Sequence, residues 1–174
     1  MMKKIALDVR TVLLLLDPSK TKILILKRSN TKKLFPELMT GIGGKVEEGE
    51  YTDILGSMMR EFQEETCINP QDLESINLRL ITLDQRGDST HLLYWTTGVL
   101  KNLPDDLSCN EGELEWLDIQ RLLKGEFDQY GKGFIASAEV CIKYILQLDT
   151  HDQLIHTAVM HMNEGKLKLS AGAA

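Results

Sequence analysis

The segment "GIGGKVEEGEYTDILGSMMREFQEET", residues 41–66, gathers seven acidic side chains behind three glycines, with only Lys45 and Arg60 as basic partners. Like charges at i, i+3 and i+4 on an exposed helix repel by about 0.2–0.5 kcal/mol per pair, so a solvated helix normally dilutes them. The spacing from about Thr52 to Thr66 predicts such a helix. On its wheel Glu61, Glu64 and Glu65 share one face, and Leu55, Met58, Met59 and Phe62 form a neighbouring stripe suited to core burial. One helix therefore offers an apolar face to a core and three carboxylates to the adjoining loop. Crowded oxygen ligands without His or Cys suit Mg²⁺ or Mn²⁺. Mg²⁺ is usually held by few carboxylates together with substrate phosphates, which points to phosphate chemistry. The E-x-x-E-E pattern also occurs on plain solvated helices. The acids at 47–50 and the preceding glycines weigh against that reading, because Gly41, Gly43 and Gly44 permit backbone approaches that a Cβ would obstruct. A Walker A loop is excluded, since Gly44-Lys45 lacks the spaced upstream glycine and Val46 stands where Ser or Thr is needed.

Outward from this segment the chain alternates strands and helices. Residues 5–16 and 22–27 read as strands flanking a turn at "DPSK", and "SNTKKLFPELMT" as a loop in which Pro36 keeps Phe35 extended. "INLRLITL" and "THLLYWTTGVL" read as two strands joined at "DQRGDS". "LPDDLSCNEGE" is a polar loop, "LEWLDIQRLLKG" a short strand entering a helix, and residues 134–148 an amphipathic helix burying Ile135, Ala138, Cys141, Ile142 and Ile145. "HTAVMHM" and "KLKLS" suggest a hairpin across Asn163–Gly165, with "AGAA" a frayed end. The expectation is one α+β domain over residues 1–148, an α/β/α sandwich around a mixed sheet. Residues 149–174 form a C-terminal extension, packed on the domain or partly disordered.

At 174 residues, 43% hydrophobic and 26% charged, the chain has the size and composition of a globular domain. A net charge of −6 argues against a partner that is a nucleic-acid polymer, but not against a small polyanion whose sign a bound cation reverses. The longest apolar run, Thr11–Leu16, is too short for a membrane span, and Asp8 and Arg10 interrupt any signal-peptide core, so a cytoplasmic protein is expected. Three widely spaced cysteines without a C-x-x-C pair suggest reduced thiols.

Residues 44–68, "GKVEEGEYTDILGSMMREFQEETCI", resemble the Nudix box, G-x5-E-x7-R-E-U-x-E-E-x-G-U with U a bulky aliphatic. Gly44 and Glu50 match its first part; Arg60, Glu61, Phe62, Glu64, Glu65 and Ile68 match its second, Phe62 being aromatic. Nine residues separate Glu50 from Arg60 where the box has seven. Inside the helix two extra residues would rotate the acids by about 200°. They are expected instead in the "GEYTD" turn, with Thr52 or Asp53 as N-cap and Glu48 the substitute for Glu50 if the turn is redrawn. Cys67 replaces the glycine near the end of the box.

The resemblance implies hydrolysis of a nucleoside diphosphate linked to another group, with Mg²⁺ or alternatively Mn²⁺. By position, Glu61, Glu64, Glu65 and the Gly44 backbone would be metal ligands, and Arg60 would orient the carboxylates. "NEGELEW", residues 110–116, resembles the acidic loop of MutT-like members. Some family members use a box glutamate as general base; on the MutT-like pattern Glu111 is the first candidate for base or extra metal ligand and Glu113 the second, and Trp116 is expected to pack beneath the site, with base stacking as its alternative. The expected catalytic set is thus Arg60, Glu64, Glu65 and Glu111. Lys27 and Arg28 suit phosphate, base or plain solvent equally. His91 and Tyr94 fall on opposite strand faces, and neither is assigned. The expected substrate is a (deoxy)nucleoside triphosphate, with an oxidised purine such as 8-oxo-dGTP as a candidate. ADP-ribose or another nucleoside diphosphate derivative is the enzymatic alternative, and a non-catalytic nucleotide-binding module or a metal-free acidic helix the others. A monomer or homodimer is expected.

Overall fold

The computed structural model describes residues 6–86, 89–127, 132–149, 152–163 and 166–172. Strand β1 (Ala6–Leu16) turns back into β2 (Lys22–Arg28), the two pairing antiparallel at Leu15↔Leu24 and Leu16↔Ile23. Asp17 organises this turn. Its buried carboxylate accepts the N–H groups of Thr21 (2.8 Å) and Lys22 (2.7 Å) and the Ser19 hydroxyl. A short β3 (Met39–Thr40) lies beside β2. Helix α1 (Ile54–Thr66) and a 3₁₀ turn (Pro70–Asp72) lead into β4 (Leu73–Arg86), β5 (Ser89–Leu100) and β6 (Gly112–Asp118). Helices α2 (Ile119–Leu123) and α3 (Ala136–Leu146) precede β7 (His156–Asn163) and β8 (Lys166–Gly172).

The strands form an eight-stranded mixed sheet in the order β3-β2-β1-β5-β4-β7-β8, with β6 also paired to β2. Two pairings are parallel, β1 with β5 and β4 with β7. Side-chain alternation along β1 assigns the two layers. Leu13 and Leu15 point to the face covered by α1, in a cluster with Leu24, Met58 and Phe62. Val12 and Leu14 point the other way, to a cluster with Trp95, Leu122, Cys141 and Ile142 from β5, α2 and α3. Helices thus cover both faces of a mixed sheet, the expected α/β/α arrangement. Each fully buried aliphatic side chain here contributes about 1.5–3 kcal/mol relative to exposure.

Three expectations need correction. Leu55 belongs to the apolar stripe by spacing but is 49% exposed, because the first turn of α1 lies outside the cluster that covers Met58 and Phe62. Ala171 and Gly172 are not frayed: they pair with Ala158 and Thr157 in β8. Phe35 does not stay extended. It has a φ of 53°, in the left-handed region, despite the proline that follows. The predicted hairpin strands at 156–172 are present. Its turn at residues 164–165, like the β4–β5 connection at 87–88, lies outside the described residues. No helix among the described residues is long and apolar enough to cross a membrane.

Candidate active site

Between β2 and α1 the chain runs along the edge of β1 like a short extra strand. Thr11 N–H donates to the Gly44 carbonyl (3.0 Å), Leu13 N–H to that of Ile42 (2.6 Å), and Val46 N–H to that of Val9 (2.9 Å). The lack of a side chain matters at Gly43 and Gly44 in different ways. Gly43 has a φ of 141°, and a Cβ there would collide with the Thr11 carbonyl. At Gly44 a Cβ would occupy the space taken by the Glu61 carboxylate. Gly43 thus lets the segment lie close against β1, and Gly44 leaves the space that the Glu61 carboxylate fills.

The start of α1 is set by the turn that precedes it. Glu50 N–H donates to Glu47 O (3.0 Å) and Asp53 N–H to Glu50 O (2.8 Å), and Asp53 then caps the helix by accepting Gly56 N–H (2.9 Å). The extra residues between Glu50 and Arg60 are absorbed before Ile54, so the register of the acids is kept. At the other end Cys67 takes the left-handed conformation (φ 56°) and donates its N–H to Gln63 O (3.0 Å). A cysteine thus fills a helix-end position where glycine is usual.

Arg60 reaches back across this turn. Its Nε and Nη2 donate to the two Glu50 carboxylate oxygens at 2.9 and 3.1 Å, and its Nη1 to Glu61 (2.8 Å) and Glu64 (3.2 Å). Glu50, not Glu48, is therefore its partner. The side-chain hydrogen bond from Arg60 is the main reason that the Glu50 carboxyl drops to about 2.

The three helix carboxylates differ sharply in environment. Glu64 is 60% exposed. Glu61 is mostly buried, and burial raises its pKa, with the Arg60 hydrogen bond opposing and Glu64 and Glu111 adding to the rise. Glu65 is only 5% exposed, and burial pushes it to about 8. The N–H of Gly43, donated to its Oε2 at 2.7 Å, works against that rise, while Glu61 and Glu111 add to it. Glu111 is ion-paired with Lys32 and borders the same cleft, a space of about 870 Å³ lined also by Gly43, Gly44 and Arg60. Glu113 stands apart: it is exposed, pairs with Lys27 at 3.3 Å and does not line the cleft. Trp116 packs against the cluster beneath α1, as expected.

No group of three or more His, Cys, Asp or Glu side chains among the described residues is drawn tightly enough to hold a metal ion. Each carboxylate is instead engaged by a donor of the protein, Arg60 for Glu61 and Glu64, Gly43 N–H for Glu65, and Lys32 for Glu111. The donor set nevertheless fits a hard divalent cation. It is all oxygen, it faces the Cβ-free backbone of Gly44, and it contains a carboxylate that burial and like charges hold near neutrality until a cation compensates it.

A second cavity, of about 340 Å³, opens beside the cleft and shares Arg10, Arg28, Gly43 and Gly44 with it. Of the residues left unassigned by sequence, Arg28 and His91 line it, whereas Lys27 and Tyr94 do not. Arg10 was missed altogether. Its signal was present, since Asp8 and Arg10 are charges two apart on an otherwise apolar strand and so share one sheet face.

The NUDIX domain matches residues 7–138, and the chain belongs to that family. It is a hydrolase of phosphoanhydride bonds, in a family that binds nucleotide substrates and uses divalent metal ions. No curated protein sequence matches the chain. Among solved structures it is similar to the MutT protein from Bacillus halodurans, with TM-score 0.65 and 20% identity over 95% of this chain and 96% of that one. It is similar also to a C. elegans Ap4A hydrolase (TM-score 0.60, 18% identity, 80% of this chain and 93% of that one). A third likeness is to a bifunctional NMN adenylyltransferase/ADP ribose pyrophosphatase from Francisella tularensis (TM-score 0.59, 16% identity, 84% of this chain and 43% of that one). At these identities the likeness is one of fold.

Proposed function

We propose that this protein is a Mg²⁺-dependent pyrophosphohydrolase that cleaves a (deoxy)nucleoside triphosphate to the monophosphate and pyrophosphate, with Mn²⁺ as the alternative cation. The observation that carries the reading is that Glu61, Glu64 and Glu65 line one cleft with Gly43 and Gly44, Glu61 lying against Gly44 and Glu65 accepting the Gly43 N–H, and that this cleft adjoins a second cavity. Glu61, Glu64, Glu65 and the backbone at Gly44 would hold the cation. Bound there, it would supply neutralisation of the phosphate oxygens and a lowered pKa for the attacking water.

The remaining roles belong to the chain itself. Arg60 fixes Glu61 and Glu64 through ion pairs and keeps the helix end registered on Glu50. Glu111, across the cleft from α1, takes the proton of the attacking water. Arg10 and Arg28 stand where cleft and cavity meet and suit the phosphates of a ligand spanning both. The substrate is a small nucleotide and not a polymer, and the enzyme works in the cytoplasm as a monomer or homodimer.

The choice of a triphosphate rests on the likeness of residues 23–50, "ILILKRSNTKKLFPELMTGIGGKVEEGE", and of "EGELEW", residues 111–116, to triphosphate-cleaving members of the family. A nucleotide with an oxidised purine, such as 8-oxo-dGTP, is a candidate substrate on the same ground. The second reading, hydrolysis of ADP-ribose or another nucleoside diphosphate derivative, is consistent with the fold shared with the Francisella protein. Product analysis with Mg²⁺ and a panel of (d)NTPs, 8-oxo-dGTP, ADP-ribose and a dinucleoside polyphosphate separates these readings. Pyrophosphate with a monophosphate from a triphosphate is expected. Equal turnover of dGTP and 8-oxo-dGTP would overturn the oxidised-base assignment, and cleavage of ADP-ribose alone would overturn the triphosphate one.

A further inference from the structure

Strand β6 begins at Gly112, which pairs with Arg28 at the end of β2, so Glu111 sits directly beside the loop that leaves β2. That loop, residues 29–38, is closed at its base. Arg28 N–H donates to the Leu38 carbonyl (3.1 Å) and Glu37 N–H to that of Arg28 (3.0 Å). Its first turn is wound tightly, with Lys32 N–H donating to Ser29 O (3.2 Å) and Thr31 N–H to Ser29 Oγ (3.2 Å). Ser29 in turn donates its own N–H to the Glu111 carbonyl (2.9 Å). The turn carries Lys32 round to the Glu111 side chain, and the two form an ion pair. One loop therefore grips Glu111 twice, by its backbone and by its carboxylate.

The pair has a direction. Glu111 lines the carboxylate cleft and Lys32 does not, so the ammonium holds the carboxylate from outside the space a substrate would enter. Glu61 and Glu65 line the same cleft, and both have Glu111 as a like-charge neighbour. A third negative charge beside them needs compensation, and Lys32 supplies it without filling the cleft. A partly exposed ion pair adds little to the stability of a fold. What it does fix is where a carboxylate points, and a general base works only within hydrogen-bond reach of the proton it takes.

We propose that Lys32 is the positioning residue for the general base, holding the Glu111 carboxylate toward the attacking water without itself touching the substrate. The proposal rests on the hydrolase reading given above, with Glu111 as the base, and adds the residue that orients it. The loop after β2 thereby contributes to the chemistry through a side chain that never enters the cleft.

The test compares the full-length wild type with Lys32→Gln, Lys32→Arg, Glu111→Gln and the Lys32→Gln/Glu111→Gln double variant. Steady-state kinetics are measured with Mg²⁺ on the fastest-cleaved of dATP, dGTP and 8-oxo-dGTP. Calorimetry gives the Mn²⁺ affinity of each free protein, and melting temperatures confirm that all are folded. Lys32→Gln should lower kcat by roughly 5- to 50-fold, part of the 10²- to 10⁴-fold that a general base supplies, and leave KM within about threefold. Lys32→Arg keeps the charge and should stay within about threefold of the wild-type kcat. In the Glu111→Gln background, Lys32→Gln should cost less than about twofold more, because its partner is already gone. Mn²⁺ affinity should change by less than about threefold in Lys32→Gln, since the residue acts on the base and not on the cation. The proposal is overturned if Lys32→Gln keeps the wild-type kcat, or if its loss multiplies with that of Glu111→Gln. It is also overturned if the loss falls on KM, which would make Lys32 a substrate contact, or if Mn²⁺ affinity falls as far as kcat. The two readings fail differently. No hydrolysis by the wild type would sink the enzymatic reading and this proposal with it, whereas hydrolysis that Lys32→Gln leaves intact would sink this proposal alone.

Discussion

Glu65 is the side chain on which the proposed chemistry leans hardest, and its position on the helix explains its unusual state. It lies three residues from Phe62 and seven from Met58, so on the wheel it falls within about 20° of the apolar stripe. The same rotation that buries Met58 and Phe62 completely leaves Glu65 only 5% exposed. A pH dependence follows for the metal-free protein. The folded carboxyl keeps its proton up to about 8, whereas an unperturbed one ionises near 4.5. Between those values the folded state binds more protons than the unfolded chain, so stability falls as pH rises through the window. Denaturant melts in EDTA from pH 5 to 9 should show this decline in the wild type and a flatter profile in Glu65→Gln. Identical slopes would mean that Glu65 ionises normally. The sequence made the acids legible as a set but not their inequality. Spacing alone placed Glu61, Glu64 and Glu65 on one face, and the sorting into exposed Glu64 and buried Glu65 came from what the sheet covers.

Among the elements, α1 was the most legible, because its signals agree. An N-cap, a helical apolar stripe and a polar turn before it coincide at Asp53 and Ile54. Asp53→Ala should cost about 1 kcal/mol of stability, read as a shift in denaturation midpoint, since it strands the Gly56 N–H that the carboxylate now accepts. A loss below a few tenths would place the start of the helix elsewhere. The displaced Leu55 shows the limit of periodicity, which gives a face but not the length of that face that finds a partner. The strand β1 misled in the opposite way. Residues 5–16 read as a strand, but the alternating Asp8 and Arg10 read only as interruptions of a signal-peptide core. Their meaning depends on β5, which lies some eighty residues further along the chain and pairs beside them in parallel. Phe35 likewise adopts a positive φ that Pro36 argued against, a local preference overridden by the loop bordering the cavity.

At the scale of the molecule, the alternation of strands and helices was enough for the layered class, and the box resemblance for the family. The strand order was not readable, because parallel neighbours such as β1 with β5 and β4 with β7 are brought together by tertiary packing and leave no local mark. That order creates the site. It sets the apolar cavity on the face shared by β1 and β5, sets the acidic helix on the other face, and lets the Gly43–Gly44 backbone border both. A chain of net charge −6 can accept a polyanion at such a place only where cations gather, and Arg10, Arg28 and Arg60 all line the cleft. The central claim is that the carboxylates of α1 serve a divalent cation in phosphoanhydride hydrolysis. Its most direct test is pyrophosphate release from the preferred triphosphate, titrated with Mg²⁺, for wild type and Glu64→Gln side by side. Glu64 is 60% exposed, so the variant should melt as the wild type does. The rate should rise saturably with Mg²⁺ in the wild type and fall by roughly 100-fold or more in the variant, the scale of a lost metal-assisted step. A rate indifferent to Mg²⁺, or equal in the two proteins, would contradict the account.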